Sequence, residues 1–267
     1  MRLIRFLDSS GQIQFGDQQA DGSALRIDGD ILAQYKVTGQ KVAVAKLLAP
    51  IVPAAIVCIG VNYRKHAEET RARIPTHPVV FMKNPASLQN PGDPIVIPTF
   101  LPSNAVDYEC ELAIVIGKKA KNVVAADALK YVLGYTIAND VSARDWQKDF
   151  GGSQWCRGKS FDTFCPLGPA IVTADEIPDP NTLDLSTVLN GQTMQSANTS
   201  DMIFDVPTLI AFLTGSTTLL PGTVILTGTP SGVGFGRDPH VYLHPGDKLT
   251  LAISQIGELS NPIVSEA

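Results

Sequence analysis

The sequence lacks the features that would assign it to a membrane or to nucleic acid. No apolar run approaches the roughly 18 residues that a membrane-spanning helix needs. Acidic residues outnumber basic ones, 26 against 21, and no basic stretch is long enough to predict nucleic-acid binding. The first ten residues hold too short an apolar core for a secretory signal, and Asp8 argues against an amphipathic presequence. We therefore expect an intracellular, cytoplasmic protein with neither kind of partner.

Cysteine is also scarce. The four cysteines form no Cys-x-x-Cys pair, so we expect reduced thiols, which is the default for an intracellular protein. Together with the four histidines they show no spacing that is typical of a zinc site.

Short β-rich runs separated by turns dominate the chain. Its 267 residues suffice for one large domain with a small appendage, and we predict a small N-terminal domain over residues 1–53 and a larger domain over residues 54–267. The pattern predicts an α+β fold with a mainly β core and few short helices. Strands are predicted at Ile56–Ile59, Val79–Met82, Ile95–Ile97, Leu112–Ile116, Tyr135–Ala138, Ala170–Val172, Leu185–Leu189, Val224–Leu226 and Leu249–Ile253.

Three short segments are predicted to be helical. They are Ala125–Val132, Asp205–Leu213, whose first residue is a plausible N-cap, and Arg64–Arg73. The third has no apolar stripe, so we expect it to be mobile or to be ordered only by a partner. The dipeptide Asn190-Gly191 predicts a hairpin turn, because both residues tolerate positive φ.

Two glutamates lie at the head of an otherwise apolar strand. Side chains alternate along a strand, so Glu109 and Glu111 point the same way, where their like charges repel. Asp140 ends another apolar run, and three carboxylates suit a hard cation such as Mg²⁺ or Mn²⁺. The alternative is that these acids are surface residues paired with Arg144 or with the lysines at positions 118 and 119.

Candidates for proton transfer and charge stabilisation occur in two further segments. His66 and Glu69 are three residues apart and share a face if their segment is helical, which would make a general base for water. Lys159, after a glycine turn, could bind a substrate carboxylate or steady a developing enolate. An exposed pair and a surface lysine are the alternatives at these positions.

A glycine-rich loop follows the strand that ends at Leu226. The run Thr227–Gly236 lacks the Gly-Lys-Ser/Thr ending of a P-loop and the spacing and following helix of a dinucleotide site. We expect the loop to bring backbone amides and the Thr229 hydroxyl to an anionic ligand.

Taken together, these segments resemble the fumarylacetoacetate hydrolase family, over about residues 54–265. The matching strings are CIGVNYRKHAEE (58–69), PVVFMKN (78–84), VDYECELAIVIGKK (106–119), NDVSARDWQ (139–147), GKSFDTFCPLGPAI (158–171) and ILTGTPSGVG (225–234). The chain looks most like the short members with a single catalytic domain.

The resemblance implies a mixed β-roll of the fumarylacetoacetase C-terminal type, a homodimer, and specific roles for the candidate residues. It implies Mg²⁺ or Mn²⁺ on Glu109, Glu111 and Asp140, and a water-activating His66–Glu69 dyad on a lid. It also implies a group of residues around the substrate: Lys159, Gln147 and Thr229, with Lys83 and Arg144 as weaker candidates. Asp107 is not expected to be a metal ligand.

From these roles we expect a metal-dependent enzyme that acts on a small 2-oxo acid. The complete dyad favours C–C bond hydrolysis of an acylpyruvate through an enolate that the cation stabilises. Decarboxylation or keto–enol tautomerisation of oxaloacetate, and hydratase or isomerase chemistry, need the same enolate, and the family does not choose among them. A lactonase and a noncatalytic metabolite-binding protein stay open as alternatives. Arg64, Arg71 and Arg73 could bind a second substrate carboxylate or could simply belong to a solvated helix.

Overall fold

The computed structural model describes residues 1–267 and is built mainly from strands. The strands are β1 (Arg2–Leu7), β2 (Ile13–Gln18), β3 (Ala24–Gly29), β4 (Tyr35–Val42), β5 (Lys46–Leu48), β6 (Ala55–Gly60), β7 (Val79–Lys83), β8 (Leu88–Gln89), β9 (Ile95–Ile97), β10 (Val106–Asp107), β11 (Cys110–Ile116), β12 (Val132–Asn139), β13 (Ser142–Ala143), β14 (Cys165–Thr173), β15 (Asp184–Leu189), β16 (Gln192–Asn198), β17 (Thr223–Leu226), β18 (Lys248–Ile253) and β19 (Gly257–Ser265). The α-helices are α1 (Arg64–Glu69), α2 (Arg144–Lys148), α3 (Cys156–Lys159) and α4 (Val206–Thr214). Short 3-10 helices span Pro85–Ser87, Ala125–Tyr131, Thr199–Asp201 and Gly234–Gly236. This content confirms the predicted α+β fold with few short helices.

Two sheets form the body of the protein. The larger has the order β4-β3-β2-β1-β14-β12-β11-β17-β6-β7, and the smaller has the order β16-β15-β18-β19-β9. The smaller sheet lies against β11, β12 and β14, and the main hydrophobic core contains residues from both sheets, such as Leu112 and Leu251. The N-terminal strands continue the larger sheet, because β1 pairs antiparallel with β14.

Strand β11 is buried on both faces, which explains its apolar run from Leu112 to Ile116. Leu112 and Ile114 belong to the main core, whereas Ala113 and Val115 belong to a second buried cluster on the opposite face. Glu111 has the same parity as Ala113 and therefore points away from the main core. Alternate residues of β11 therefore belong to two different hydrophobic clusters, as the predicted alternation of side chains requires.

The predicted helical segments differ in how closely they match the structure. Helix α4 begins after Asp205, whose side chain accepts a hydrogen bond from the Thr208 amide at 2.9 Å, as expected of an N-cap. The segment at Ala125–Tyr131 is a 3-10 helix. Helix α1 ends at Glu69, four residues earlier than predicted, because Arg71 adopts a left-handed φ of 52°.

Helix α1 is held by polar contacts and by one small apolar side chain. Ala67, a residue of this helix, is buried, and the Asp201 carboxylate accepts a hydrogen bond from the Lys65 amide at 3.1 Å. Arg64 donates to the main-chain carbonyl of Met202 at 2.6 Å. These contacts dock the helix without the apolar stripe that the sequence lacks.

Two smaller expectations concern the hairpin and the cysteines. Asn190 and Gly191 both have positive φ, 51° and 82°, and they join the antiparallel pair β15–β16, which confirms the predicted hairpin. The four cysteines form no disulfide. None of the helices combines the length and the apolar composition that a membrane crossing requires.

Candidate active site

The strand register gathers the candidate residues at one end of the larger sheet. β17 runs parallel to β6 and antiparallel to β11, with Leu226 opposite both Cys58 and Ala113. β12 runs antiparallel to β11, with Asn139 opposite Cys110. The start of β11 therefore meets the ends of β6, β12 and β17, and the segments that follow those three strands converge there.

The three predicted metal ligands meet at this end. Glu109, Glu111 and Asp140 each offer one carboxylate oxygen within 4.8 Å of the others, and all three are buried. The Asp140 amide donates to the Glu109 carbonyl at 3.0 Å, and the Glu109 amide donates to the Asn139 side chain at 3.0 Å. The pairing of β11 with β12 thus brings together acids that are about 30 residues apart in the chain.

Buried lysines neutralise part of this negative charge. Lys159 Nζ lies 2.6 Å from Glu109 and 2.8 Å from Asp140, and Lys83 Nζ lies 2.7 Å from the other oxygen of Asp140. Burial alone would lower the pKa of Lys159, but the carboxylates of Asp140 and Glu109 outweigh it and raise that pKa to about 12. Lys159 therefore stays charged at any physiological pH.

Arg144 is the third buried cation that pairs with acids of the site. Its Nη2 atom lies 2.7 Å from Glu109 and 2.8 Å from Asp107. Asp107 also accepts hydrogen bonds from the amides of Gly234 and Phe235, at 2.8 and 3.0 Å. It is thus fully engaged outside the trio, in keeping with its omission from the predicted ligands.

The alternative of a solvated surface cluster does not describe these acids. The trio is buried, whereas Lys118 and Lys119 are exposed beyond the opposite end of β11. Of the proposed surface partners, Arg144 does pair with Glu109, but it does so as a buried residue.

Glu111 is the acid that lacks a cationic partner. Its one hydrogen bond comes from the Gly228 amide, at 2.6 Å. Burial, and then the neighbouring Asp140 and Glu109, raise the pKa of Glu111 well above its usual value. Burial also acts to raise the pKa of Glu109, but Lys159 and Arg144 outweigh it and lower that pKa to about 2.

This charge balance fits a divalent cation. Four buried carboxylates, those of the trio and Asp107, face three buried cations, Lys83, Arg144 and Lys159. With every group ionised, one negative charge is in excess, and the raised pKa of Glu111 indicates that a proton or a cation is favoured there. Oxygen donors of this kind are the ligands that Mg²⁺ and Mn²⁺ prefer, so the residues present suit such an ion.

The predicted dyad forms on helix α1. His66 Nδ1 lies 3.2 Å from Glu69 Oε2, and Glu69 Oε1 accepts a hydrogen bond from the Gly232 amide at 2.9 Å. A Cβ atom at Gly236 would lie 2.5 Å from the Glu69 carboxyl carbon, so the loop approaches closely only because glycine stands there. The carboxylate is held from two sides and can orient the imidazole.

A cavity of about 180 Å³ separates the dyad from the acidic trio. Most predicted site residues line it: His66, Glu109, Glu111, Arg144, Gln147, Lys159 and Thr229. Glu69, Lys83 and Asp140 do not line the cavity and contact those residues from behind. The site is therefore one pocket, with a basic and acidic floor and a histidine facing it.

The glycine-rich loop uses its amides differently from the expectation. The amides of Gly228, Gly232 and Gly234 donate to Glu111, Glu69 and Asp107, which are carboxylates of the chain itself. The Thr229 hydroxyl accepts a hydrogen bond from Gln195 at 2.8 Å while its side chain lines the cavity. The loop thus positions the acids of the site.

The sequence reasoning missed four lining residues that shape the cavity wall: Phe81, Lys148, Trp155 and Phe235. Trp155 packs against Phe81 with ring centroids 5.4 Å apart, and a Cβ atom at Gly60 would lie 2.2 Å from the indole. Lys148 follows Gln147 on helix α2, four residues after Arg144, and that spacing was the available signal.

The chain is similar to two mitochondrial oxaloacetate tautomerases. The chain is 51% identical over 92% of its length to the mitochondrial oxaloacetate tautomerase fahd2 of Xenopus laevis, of which the match covers 74%. It is 47% identical over 81% of its length to the human mitochondrial oxaloacetate tautomerase FAHD2A, of which the match covers 69%.

Solved structures of similar proteins extend over the whole chain. A 2-hydroxyhepta-2,4-diene-1,7-dioate isomerase from Mycobacterium marinum is 40% identical, with a TM-score of 0.85 and coverage of 100% of this chain and 99% of that one. A 5-carboxymethyl-2-hydroxymuconate delta-isomerase from Mycobacterium smegmatis is 39% identical, with a TM-score of 0.87 and full coverage of both chains.

Family patterns account for nearly all of the sequence. Residues 1–50 match the pattern described as Rv2993c-like, N-terminal. Residues 55–264 match the pattern described as fumarylacetoacetate (FAA) hydrolase C-terminal. The predicted resemblance is thereby confirmed, and the chain belongs to the fumarylacetoacetate hydrolase family of enzymes.

Proposed function

We propose that this protein is a divalent-metal-dependent enzyme that interconverts the enol and keto forms of a small 2-oxo acid, with oxaloacetate as the favoured substrate. The observation that carries the proposal is the single cavity of about 180 Å³ that His66 and the glutamates of the acidic trio line together. Relatives named oxaloacetate tautomerases, at 46–51% identity, support this reaction over the hydrolysis that the dyad alone favoured.

Glu109, Glu111 and Asp140 would hold Mg²⁺ or Mn²⁺ at the floor of the cavity. When bound, such an ion supplies positive charge that polarises the oxygen of a 2-oxo acid. The unpaired Glu111 and the surplus negative charge support this assignment.

The chain's own residues would move the proton and hold the charge. His66 uses Nδ1 to contact Glu69, and no hydrogen bond forms at Nε2, so Nε2 is the atom that would take a proton from C3 of the keto form. The imidazolium would return that proton to the oxygen of the enolate to give the enol, and the reverse transfers would give the keto form. Glu69 would fix the tautomer and stabilise the imidazolium that results. Lys159, which remains protonated, would stabilise negative charge that develops on the substrate oxygen.

The remaining predicted residues would orient these groups and the substrate. Gln147 accepts a hydrogen bond from Arg144 at 3.0 Å, which leaves its amide nitrogen for a ligand. Thr229 lines the same wall. Lys83 and Arg144 contact Asp140 and Glu109 and would keep those carboxylates in place.

Hydrolysis of an acylpyruvate is the second candidate, because the same dyad could activate water. The contact of 3.2 Å between His66 and Glu69 supports it, as this pair suits a general base. Decarboxylation of oxaloacetate would need only the charge-stabilising part of the site. A noncatalytic role and lactone hydrolysis have no comparable support, whereas one cavity lined by seven of the candidate residues supports 2-oxo acid chemistry.

The test is a substrate panel with the purified protein after chelation and readdition of Mg²⁺ or Mn²⁺. Enol oxaloacetate is followed by loss of enol absorbance, while pyruvate and carbon dioxide are measured separately, and acetylpyruvate is the hydrolysis substrate. We expect metal-dependent loss of the enol without pyruvate release. Pyruvate from acetylpyruvate at a higher kcat/KM would favour the second candidate, and undiminished activity in chelator would refute the metal assignment.

We also propose that the protein is a homodimer, as the family resemblance implies. Strand β7 is the edge of the larger sheet and leaves Val80 and Met82 exposed, at 45% and 48%. A groove of about 540 Å³ beside it is lined mainly by apolar side chains, and such an edge favours contact with a second copy. Light scattering at micromolar concentration tests this, and a monomeric mass would contradict it.

A further inference from the structure

Helix α2 carries positive charge from the floor of the cavity to its mouth. Arg144 and Lys148 are four residues apart and share one face of the helix. Arg144 is buried against Glu109, whereas Lys148 is exposed, and both line the cavity. One turn of helix separates them by about 6 Å, which is on the scale of a short dicarboxylic acid.

Lys148 is placed by an aromatic ring and has no acidic partner. Its Nζ atom lies 3.3 Å from the centre of the Phe235 ring, a cation–π contact. The main chain at Phe235 is held because its amide donates a hydrogen bond to Asp107 at 3.0 Å. The Phe235 ring stacks on the His240 ring, with ring centroids 5.2 Å apart. Other lysines, such as Lys46 and Lys130, form ion pairs with nearby aspartates.

The surroundings of Lys148 favour an incoming anion. Partial loss of water around the ammonium group, although the residue as a whole is exposed, and then the neighbouring Arg144 lower the pKa of Lys148. More distant acids oppose this shift, but no carboxylate forms an ion pair with Lys148. A carboxylate that reached the mouth of the cavity would supply the missing negative charge.

The arginines that the sequence offered for this role do not reach the cavity. Arg64, Arg71 and Arg73 are exposed, and none of them lines it. Arg64 is engaged with main-chain carbonyls of Asp201 and Met202. Lys148 is the exposed cation that lines this pocket.

We propose that Lys148 determines substrate specificity by binding the second carboxylate of a dicarboxylic 2-oxo acid whose 2-oxo end lies at the acidic trio. This inference rests on the proposed function, because it takes the trio as the site for the 2-oxo end. It defines the substrate class as 2-oxo diacids, in preference to 2-oxo acids with an apolar tail.

The experiment compares two non-reacting probes, 2-oxoglutarate and 2-oxopentanoate, which differ only in a carboxylate or a methyl group at C5. Their binding is measured by calorimetry with Mg²⁺ present. The unmodified protein should bind the diacid about two- to five-fold more tightly, as expected for one exposed ion pair. Lys148→Met should abolish this preference, and Lys148→Arg should restore most of it.

Lys36→Met is the matched control, because Lys36 is an exposed lysine on the distant strand β4. It should leave both affinities unchanged. A diacid preference that survives Lys148→Met, an equal loss for both probes, or no binding of either probe to the unmodified protein would overturn the inference. Because binding is measured without turnover, a missing tautomerase activity would refute the proposed reaction while leaving this preference intact.

Discussion

Replacing Glu111 with glutamine should change the stability of this protein in opposite directions with and without metal. Glu111 is buried beside two other carboxylates and has no cationic partner. Glutamine keeps an oxygen that can accept the hydrogen bond from Gly228 but removes the charge. Without metal the variant should therefore be more stable than the wild type, and with Mg²⁺ it should lose the stabilisation that the ion provides.

The magnitudes follow from burial and mass action. Glutamine avoids the cost of either burying the Glu111 charge or taking up a proton, which should raise the free energy of unfolding by about 1–3 kcal/mol in chelator. For a chain of this size that corresponds to roughly 3–10 °C in Tm. Bound Mg²⁺ at about 100 times its Kd should stabilise the wild type by about 2.7 kcal/mol, and the variant by much less.

The sign of the pH dependence is also determined. The pKa of Glu111 is raised above its ordinary value of 4.5, so the folded metal-free state binds a proton that the unfolded state has released. This proton uptake stabilises the folded wild type fully below pH 4.5. The free energy of unfolding then falls as pH rises from 4.5 through the raised pKa of Glu111. Glu111→Gln should remove this loss.

The assay is thermal unfolding in EDTA and in Mg²⁺, with Glu258→Gln as the control, since Glu258 is an exposed glutamate on β19. The control should show the same Mg²⁺ shift as the wild type. The reasoning is refuted if Glu111→Gln is less stable in EDTA, or if it retains the full Mg²⁺ shift.

Further predictions concern the dyad, the Asp107–Arg144 pair and Glu109. His66→Asn should lower kcat for enol oxaloacetate by about 100-fold or more through loss of the proton carrier, and an unchanged kcat would exclude His66 from the reaction. Asp107→Asn should lower the free energy of unfolding by about 3 kcal/mol in urea titrations, because it leaves the buried Arg144 with one acid fewer. The pKa of Glu109 is lowered to about 2, so its stabilisation is present above pH 4.5 and is lost as pH falls towards 2. Urea titrations from pH 5 to 2.5 should therefore show a steeper loss in the wild type than in Glu109→Gln, and parallel curves would contradict this.

Local patterns predicted the elements of the fold well where one strong signal was present. Alternation and apolar runs located the central strands, and the side-chain acceptor at Asp205 located the start of α4. The end of α1 was less predictable, because a left-handed residue at Arg71 has no clear mark in the sequence. The boundary at residue 53 stays a prediction, and the strands before it share the larger sheet.

The composition of the site was predicted from motifs, but its internal contacts were not. The resemblance supplied a set of residues, and seven of them line one cavity. It did not indicate that the loop amides bind the chain's own acids, nor that Asp107 pairs with Arg144. Those contacts join segments more than 100 residues apart in the case of the loop, and no local pattern encodes them.

The local sequence alone determined that Glu109 and Glu111 point the same way, because side chains two residues apart on a strand lie on the same face. The neutralisation of those carboxylates depended on the register of β11 with β12 and β17, which brings Asp140 and the Gly228 amide to the same place. The place of Lys148 at the mouth of the cavity depended on where α2 docks. Electrostatic energies vary with distance and burial, and both of these quantities arise only when distant segments pack together.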